Sequence, residues 1–152
     1  MSESTSALPT GLPIPAPEND GLSAPFWEGL REDVLRIQRC RACGTWQWGP
    51  EWICHSCHSF DMGWDEVAPR GRVYSWERVW HPVHPVLKGA TPYCAVLVEL
   101  PHAGNVRLLG NLLGDPMQVL HADIAVRGVF DHRTQGTRRY SLLNWIRTSE
   151  GE

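Results

Sequence analysis

Four cysteines, Cys40, Cys43, Cys54 and Cys57, stand in the pattern Cys-x2-Cys-x10-Cys-x2-Cys. Each Cys-x2-Cys half turns the chain tightly enough to aim two thiolates at one metal ion, and two such knuckles complete the tetrahedral four-sulfur shell that zinc takes. A closed shell leaves no position for water or substrate, so the metal is expected to be structural and its binding energy to hold the segment folded. The other readings explain less. Cys54-His55-Ser56-Cys57-His58 also fits the Cys-x-x-Cys-His pattern of covalent haem attachment, but that leaves the first pair unexplained and calls for export. A disulfide framework sits poorly with paired knuckles and a fifth cysteine, Cys94, inside an apolar run. His55 or His58 could replace a sulfur as ligand, although an exposed knuckle histidine is the plainer reading.

Independent catalysis finds little support. His81, His84, His102, His121 and His132 are available, but no motif places a nucleophile or an acid and base partner beside any of them. Cys94 lies within Tyr93-Cys94-Ala95-Val96-Leu97, where a thiol reads as a small buried hydrophobe rather than a nucleophile.

The elements that must position these residues follow from composition and period. A chain of 152 residues can bury one modest core or two small coupled ones. No apolar stretch approaches the length of a membrane span, and the N-terminus lacks a basic region followed by an apolar one, so a cytoplasmic protein without membrane contact is expected. The net charge of −3 hides an asymmetry: residues 1–67 carry ten acidic and four basic side chains, residues 68–152 seven and ten. The C-terminal half is therefore the one suited to meet phosphate.

Residues 1–22 show neither period, with Leu8, Leu12 and Ile14 isolated among Pro, Gly, Ser and Thr, and read as an extended arm. Residues 23–34 read as an amphipathic helix, about 24–33, with Ser23 as N-cap, Pro25 in the first turn, and Phe26, Trp27, Leu30 and Val34 at helical spacing. Residues 35–67 form the ribbon, entered by a strand in which Leu35 and Ile37 alternate with Arg36 and Gln38. Between the knuckles, Trp46, Trp48 and Trp52 suggest an aromatic hairpin turning at Gly49-Pro50. Three tryptophans exceed what so small a ribbon can bury, so some are expected at the junction with the next domain or at a partner interface.

Residues 68–148 read as strands: Arg72 to Trp80, with Tyr74, Trp76 and Trp80 on one face, then Tyr93 to Leu100 and Val106 to Leu113 as a hairpin. Asp115 to Leu120 reads as one helical turn, followed by strands from Ile124 to Phe130 and Arg139 to Ile146 around a Gln135-Gly136 turn. Residues 149–152 are a short tail. Five strands with a helical insertion after the third predict an OB-type Greek-key barrel, with an open five-stranded sheet as the alternative. His81-Pro82-Val83-His84-Pro85 cannot be sheet interior, because proline lacks a donor, and becomes a loop at the barrel mouth.

Taken in order, Pro25-Phe26-Trp27-Glu28-Gly29, the two knuckles, Gly71-Arg72-Val73-Tyr74-Ser75-Trp76, His84-Pro85, Pro92-Tyr93, Leu97-Val98-Glu99-Leu100 and Arg107-Leu108-Leu109-Gly110-Asn111-Leu112 carry a resemblance. Over about 24–147 the chain resembles the zinc-ribbon and OB-fold accessory proteins of acyl-CoA metabolism, long catalogued as a domain of unknown function. The resemblance implies a mainly β protein with a short N-terminal helix, a rubredoxin-like zinc ribbon and a five-stranded OB-type barrel. It further implies a non-catalytic subunit in a hetero-oligomer with a thiolase-fold enzyme, either a thiolase or an aldolase acting on CoA thioesters such as steroid side chains. A structural zinc would be the cofactor, and a coenzyme A thioester would be shared with the partner. His81, His84, Lys88 and Arg78 are the candidate contacts to CoA or partner, and Trp46, Trp48 and Trp52 the candidate interface. The second knuckle departs from the family, which often has proline after its first Cys and glycine after its second where this chain has His55 and His58. Glu51-Trp52 likewise replaces a common Pro-Arg.

The rival comes from another class. An OB barrel with a zinc ribbon also serves single-stranded nucleic-acid binders, and Tyr74, Trp76 and Trp80 with Arg78, Arg107, Arg138 and Arg139 can be drawn into that picture. Against it stand an acidic overall charge and a single lysine, and the resemblance favours the acyl-CoA reading.

Overall fold

The computed structural model describes residues 16, 17 and 20–148, so most of the expected arm, 1–22, and the expected tail, 149–152, lie outside the described residues. Helix α1 spans Ala24–Arg31 and buries Phe26, Gly29 and Leu30. Ser23 holds the N-cap position, but its hydroxyl makes no cap bond and instead donates to the Asp20 carboxylate, which also accepts from the backbone N–H of Leu22 and Ser23. The helix stops two residues earlier than expected because Asp33 turns left-handed at φ 60°, returning the Val34 N–H to the Gly29 carbonyl at 2.9 Å in a Schellman-type end.

The ribbon is a three-stranded antiparallel sheet in the order β2-β1-β3, made of β1 (Leu35–Cys40), β2 (Trp46–Gln47) and β3 (Met62–Val67). β1 pairs with β3 along its whole length, from Leu35 opposite Val67 to Cys40 opposite Met62. The aromatic hairpin expected over 46–52 does not form. Trp46 and Gln47 pair back onto β1, and the chain beyond Trp48 leaves the sheet. The reason lies in two glutamines. Gln38, expected on the polar face, is buried, and its side-chain amide both donates to the Glu51 carbonyl and accepts from the Glu51 N–H. Gln47, also buried, donates to the Ile53 carbonyl and accepts from the His55 N–H. Glu51, Ile53 and His55 thus place backbone groups on side chains instead of on a neighbouring strand.

The second sheet closes into a barrel, β4-β5-β6-β8-β7, from β4 (Arg70–Val79), β5 (Tyr93–Leu100), β6 (Val106–Leu112), β7 (Ala125–Gln135) and β8 (Arg138–Arg147). Its five strands are antiparallel except where β6 meets β8 in parallel at Leu112 and Trp145, the order of an OB barrel. β5 and β6 form the expected hairpin. Two expectations fail. Asp115 to Leu120 contains no helix, only a turn closed by the Gln118 N–H on the Asp115 carbonyl and by the Met117 N–H on the Asp115 side chain. In addition, Tyr74, Trp76 and Trp80 do not share a face. A register shift between Val73 and Ser75 makes Tyr74 an extra residue, so alternation resets there. Tyr74 lies beneath Arg107, opposite Glu99 in the β5 register, whereas Trp76 is opposite the core residue Val96.

One core runs through both sheets. Leu30, Leu35 and Ile37 from helix and ribbon join Val73, Val96, Val98, Leu100, Leu108 and Trp145 from the barrel. Full burial of a leucine such as Leu30 is worth about 2 kcal/mol. The passage from ribbon to barrel is short: only Ala68 and Pro69 separate β3 from β4. Both carbonyls are held, Ala68 O by His102 Nε2 at 2.9 Å and Pro69 O by the Gly128 N–H at 2.7 Å. Trp46 reaches across the same junction, where a Cβ on Gly104 would come within 2.8 Å of its ring.

Candidate functional site

The sulfurs of Cys40, Cys43, Cys54 and Cys57 all lie within 4.8 Å of one another, and the Cys40–Cys57 and Cys43–Cys54 separations are both 3.6 Å. A regular tetrahedron with Zn–S bonds of about 2.3 Å has sulfur–sulfur edges of roughly 3.8 Å, so the residues present fit a four-thiolate zinc site. The knuckles are built alike. In the first, the Cys40 N–H bonds the Thr45 carbonyl and the Gly44 N–H bonds the Cys40 carbonyl. In the second, the Cys54 N–H bonds the Ser59 carbonyl and the His58 N–H bonds the Cys54 carbonyl. Backbone N–H groups also point at sulfur, Cys43 N to Cys40 Sγ at 3.5 Å and Ser56 N to Cys54 Sγ at 3.4 Å.

Cys43, Cys54 and Cys57 do not titrate alike. The Thr45 hydroxyl and backbone hold Cys43 down at about 6, and backbone N–H groups, first that of Cys57 and then that of Ser56, lower Cys54. Cys57 is pushed up to about 12: the Ser59 backbone pulls it down, but the neighbouring sulfurs and burial outweigh that pull. Four negative sulfurs at this spacing repel, and a divalent cation at their centre reverses the penalty. His55 and His58 stay outside the ligand set. His55 Nδ1 lies 2.8 Å from Gln47 Oε1, which ties the second knuckle to β2.

His58 occupies the left-handed position, φ 60°, that Gly44 takes in the first knuckle at φ 77°. Here the departure from the family's glycine has its physical meaning: a side chain stands where the backbone favours none.

The tryptophans divide. Trp46 packs against the core at the Gly104 junction with Arg39 over its ring, and Trp48 packs on Phe26 with ring centres 4.6 Å apart. Trp52 is 62% exposed. Ile53 and Phe60, on either side of the Cys54–Ser59 backbone bond, are exposed as well, Phe60 at 77%, so both flanks of the second knuckle carry exposed apolar side chains. Sequence reasoning missed Phe60, and its only signal was an aromatic one residue outside the second knuckle's last hydrogen bond, which ends at Ser59.

At the barrel mouth, Trp80, Val83 and Val86 on the 80–92 segment and Met117 and Val119 on the next loop are all exposed. Arg78 clasps these two segments, donating from Nε to the Pro116 carbonyl at 2.8 Å and from Nη2 to the Gln118 carbonyl at 2.7 Å. Cys94 is buried beneath them and donates to the Pro116 carbonyl, as a packed thiol does. His84 caps a short 3-10 turn, Pro85–Leu87, its Nδ1 accepting from the Val86 N–H, while His81 and Lys88 are both exposed nearby in the chain. Arg107 is likewise committed. With Arg72 it grips the buried Glu99 carboxylate, Arg72 at 2.7 Å and Arg107 at 3.0 Å. These two arginines, Arg72 foremost, hold the Glu99 carboxyl below its ordinary range.

Elsewhere, His132 joins Ser141, 2.7 Å from its Nδ1, to Asp33, 3.0 Å from its Nε2. Ser141 is buried in β8, so the three side chains act as a clamp between the end of α1 and the barrel rather than as a nucleophilic site. Between α1, Trp48 and the outer face of β5, β6 and β8 runs an apolar groove of about 590 Å³ lined by Phe26, Trp27, Trp48, Tyr93 and Leu109. No helix among the described residues is long and apolar enough to cross a membrane.

Comparison with known proteins agrees with this geometry. Residues 27–63 match the family profile of the ChsH2 rubredoxin-like zinc ribbon domain, and residues 64–131 that of the ChsH2 C-terminal OB-fold domain. A chain of the solved Ltp2-ChsH2(DUF35) aldolase is 30% identical, with a TM-score of 0.72 over 88% of this chain and 98% of that one. A DUF35 protein of unknown function from Sulfolobus solfataricus, 16% identical, shares the fold with a TM-score of 0.57 over 82% and 84% of the two chains. A probable enoyl-CoA hydratase alpha subunit of Thermomonospora curvata is 40% identical over 115 residues, 74% of this chain, and the match spans about a third of that relative's length (34%). The two matched domains in series, the four-cysteine site and the closed barrel behind it together place this chain in the ChsH2 family of zinc-ribbon and OB-fold proteins.

Proposed function

We propose that this chain is a non-catalytic, zinc-binding accessory subunit of a thiolase-fold acyl-CoA enzyme, a thiolase or an aldolase acting on CoA thioesters, that stabilises its partner and helps enclose the acyl-CoA. The observation that carries this is the similarity, along nearly the whole length of both chains, to a chain of a solved aldolase whose name couples ChsH2 with Ltp2. The relative named for enoyl-CoA chemistry supports the same class of thioester, with fatty-acyl or steroid side chains as the acyl group. Cys40, Cys43, Cys54 and Cys57 hold the zinc, which keeps the ribbon folded and leaves the chemistry to the partner. Trp52, Ile53 and Phe60 at the ribbon tip form the partner contact, since exposed apolar residues clustered this way are the anchors of interfaces. The 80–92 segment, with His81, His84 and Lys88, lies over the CoA thioester, and Arg78 holds it in place.

A tagged copy purified from the native host tests the reading. Recovery with a thiolase-fold subunit, and a loss of about 2 kcal/mol of complex affinity in Trp52→Ala with zinc retained, is the expected outcome. Recovery alone or with nucleic acid overturns it.

A further inference from the structure

We propose that the pocket between the end of α1 and the β7–β8 hairpin is a phosphate site, taking a phosphate monoester or diphosphate group of a small molecule on Arg31 and Arg139. The pocket measures about 440 Å³ and is lined by Arg31, His132, Thr134, Arg139, Tyr140 and Ser141. A smaller cavity, about 120 Å³, adjoins it, sharing Arg31, Arg139 and Tyr140 and adding Trp27 and Glu28. The cations here differ in what they already hold. Arg133 is paired with the buried Asp131 at 2.8 Å, and His132 with Asp33. Arg31 and Arg139 have no hydrogen-bond acceptor or carboxylate partner among the described residues, although both line the same two cavities.

Two guanidinium groups converging on one concavity repel each other, and an oxyanion between them turns that repulsion into attraction. Arginine presents a planar fork of N–H donors that matches phosphate oxygens two at a time, which makes a pair of arginines a better phosphate clamp than scattered lysines. Arg31 lies in the last turn of α1, where a cation complements the helix dipole. That accounts for Arg31 alone and leaves unexplained the second unpaired arginine facing the same space from β8. Among the described residues the only acid lining either cavity is Glu28, one turn before Arg31 and not paired with it. At the barrel mouth, by contrast, Arg78 has already given its donors to two carbonyls.

The inference does not depend on the proposed partner, so it is tested on the full-length zinc-loaded chain alone. Pyrophosphate, coenzyme A and dephospho-coenzyme A are titrated calorimetrically at fixed ionic strength into the wild type, the Arg31→Ala/Arg139→Ala double variant and an Arg70→Ala control, an exposed charge at the opposite end of the β7–β8 pair. Saturable pyrophosphate binding that weakens at least tenfold in the double variant and less than twofold in the control is the expected result. Binding of coenzyme A tighter than its dephospho form and than pyrophosphate assigns the site to the ester phosphate of that cofactor, and equal binding of all three assigns it to a bare diphosphate. Either outcome upholds the site. Should the double variant lose its zinc or its fold, Arg139→Gln with amide shifts of Thr134 and Tyr140 as the readout replaces it. Absence of saturable binding, or equal weakening in Arg70→Ala, overturns the proposal.

Discussion

Between its strands the ribbon buries two glutamines and half of a four-sulfur cluster, where the barrel buries Val73, Val96, Val98, Leu100 and Trp145. The barrel can therefore hold its shape on apolar packing, while the ribbon's second half rests on a metal ion and on side-chain bonds to bare backbone. The contrast repeats inside the ribbon. Cys40 ends a fully paired strand, and Arg41 beside it bonds both the Asp65 carboxylate and the Trp64 carbonyl on β3. The second knuckle has no strand entering it and hangs from Gln38 and Gln47. Sheet supports one knuckle; metal and glutamine support the other.

Removing the metal strains this contrast most. Cys57→Ser, or zinc withdrawal by a chelator, forfeits binding energy on the order of 10 kcal/mol, and hydrogen exchange should then show residues 48–61 unprotected while β5 and β6 stay protected. Simultaneous loss of protection in the barrel would show that the two regions are not separately supported.

A smaller effect lies in Glu99, one of the barrel's two buried carboxylates. Glu99 titrates below its ordinary range in the folded chain because Arg72 and Arg107 bond it, so its contribution is fully present above the unfolded value near 4.5 and is lost as pH falls through the depressed folded value. Denaturation curves of wild type and Glu99→Gln should accordingly differ at pH 7 and converge as the pH falls through the depressed folded value. A difference that persists unchanged into strong acid would assign the effect to packing instead of charge.

The smallest effect sharpens the comparison between knuckles. Giving the second knuckle the residue of the first, His58→Gly, relieves a left-handed side chain and should stabilise the ribbon by about 1 kcal/mol, read as slower zinc release to a chelator. Faster release would mean that His58 makes a contact worth more than the strain.

Much of this was legible in the sequence, and the failures have local causes. Cysteine spacing exposes the metal site because thiolate geometry tolerates few alternatives, and the near-continuous apolar run from Tyr93 to Leu100, with the four other strands in their order, exposes the barrel. Period cannot reveal a bulge, so Tyr74 read as a neighbour of Trp76. Nor does polarity distinguish a solvated glutamine from a buried one that replaces a strand, which hid the roles of Gln38 and Gln47. Asp115-Pro116 carries a helix-start signature, but the Arg78 and Cys94 bonds to the Pro116 carbonyl hold that backbone in a turn. That Arg31 and Arg139 line one pocket without a partner among the described residues emerges only when α1 is laid against β8.

The two-residue passage at Ala68-Pro69, bonded on both carbonyls, works as a weld between two plates. Neither plate can swing on its own, so a grip on Trp52 and Phe60 at one end sets the heading of the 80–92 segment at the other. Whatever holds the ribbon tip thereby aims the barrel mouth, and alignment is transmitted without any moving part.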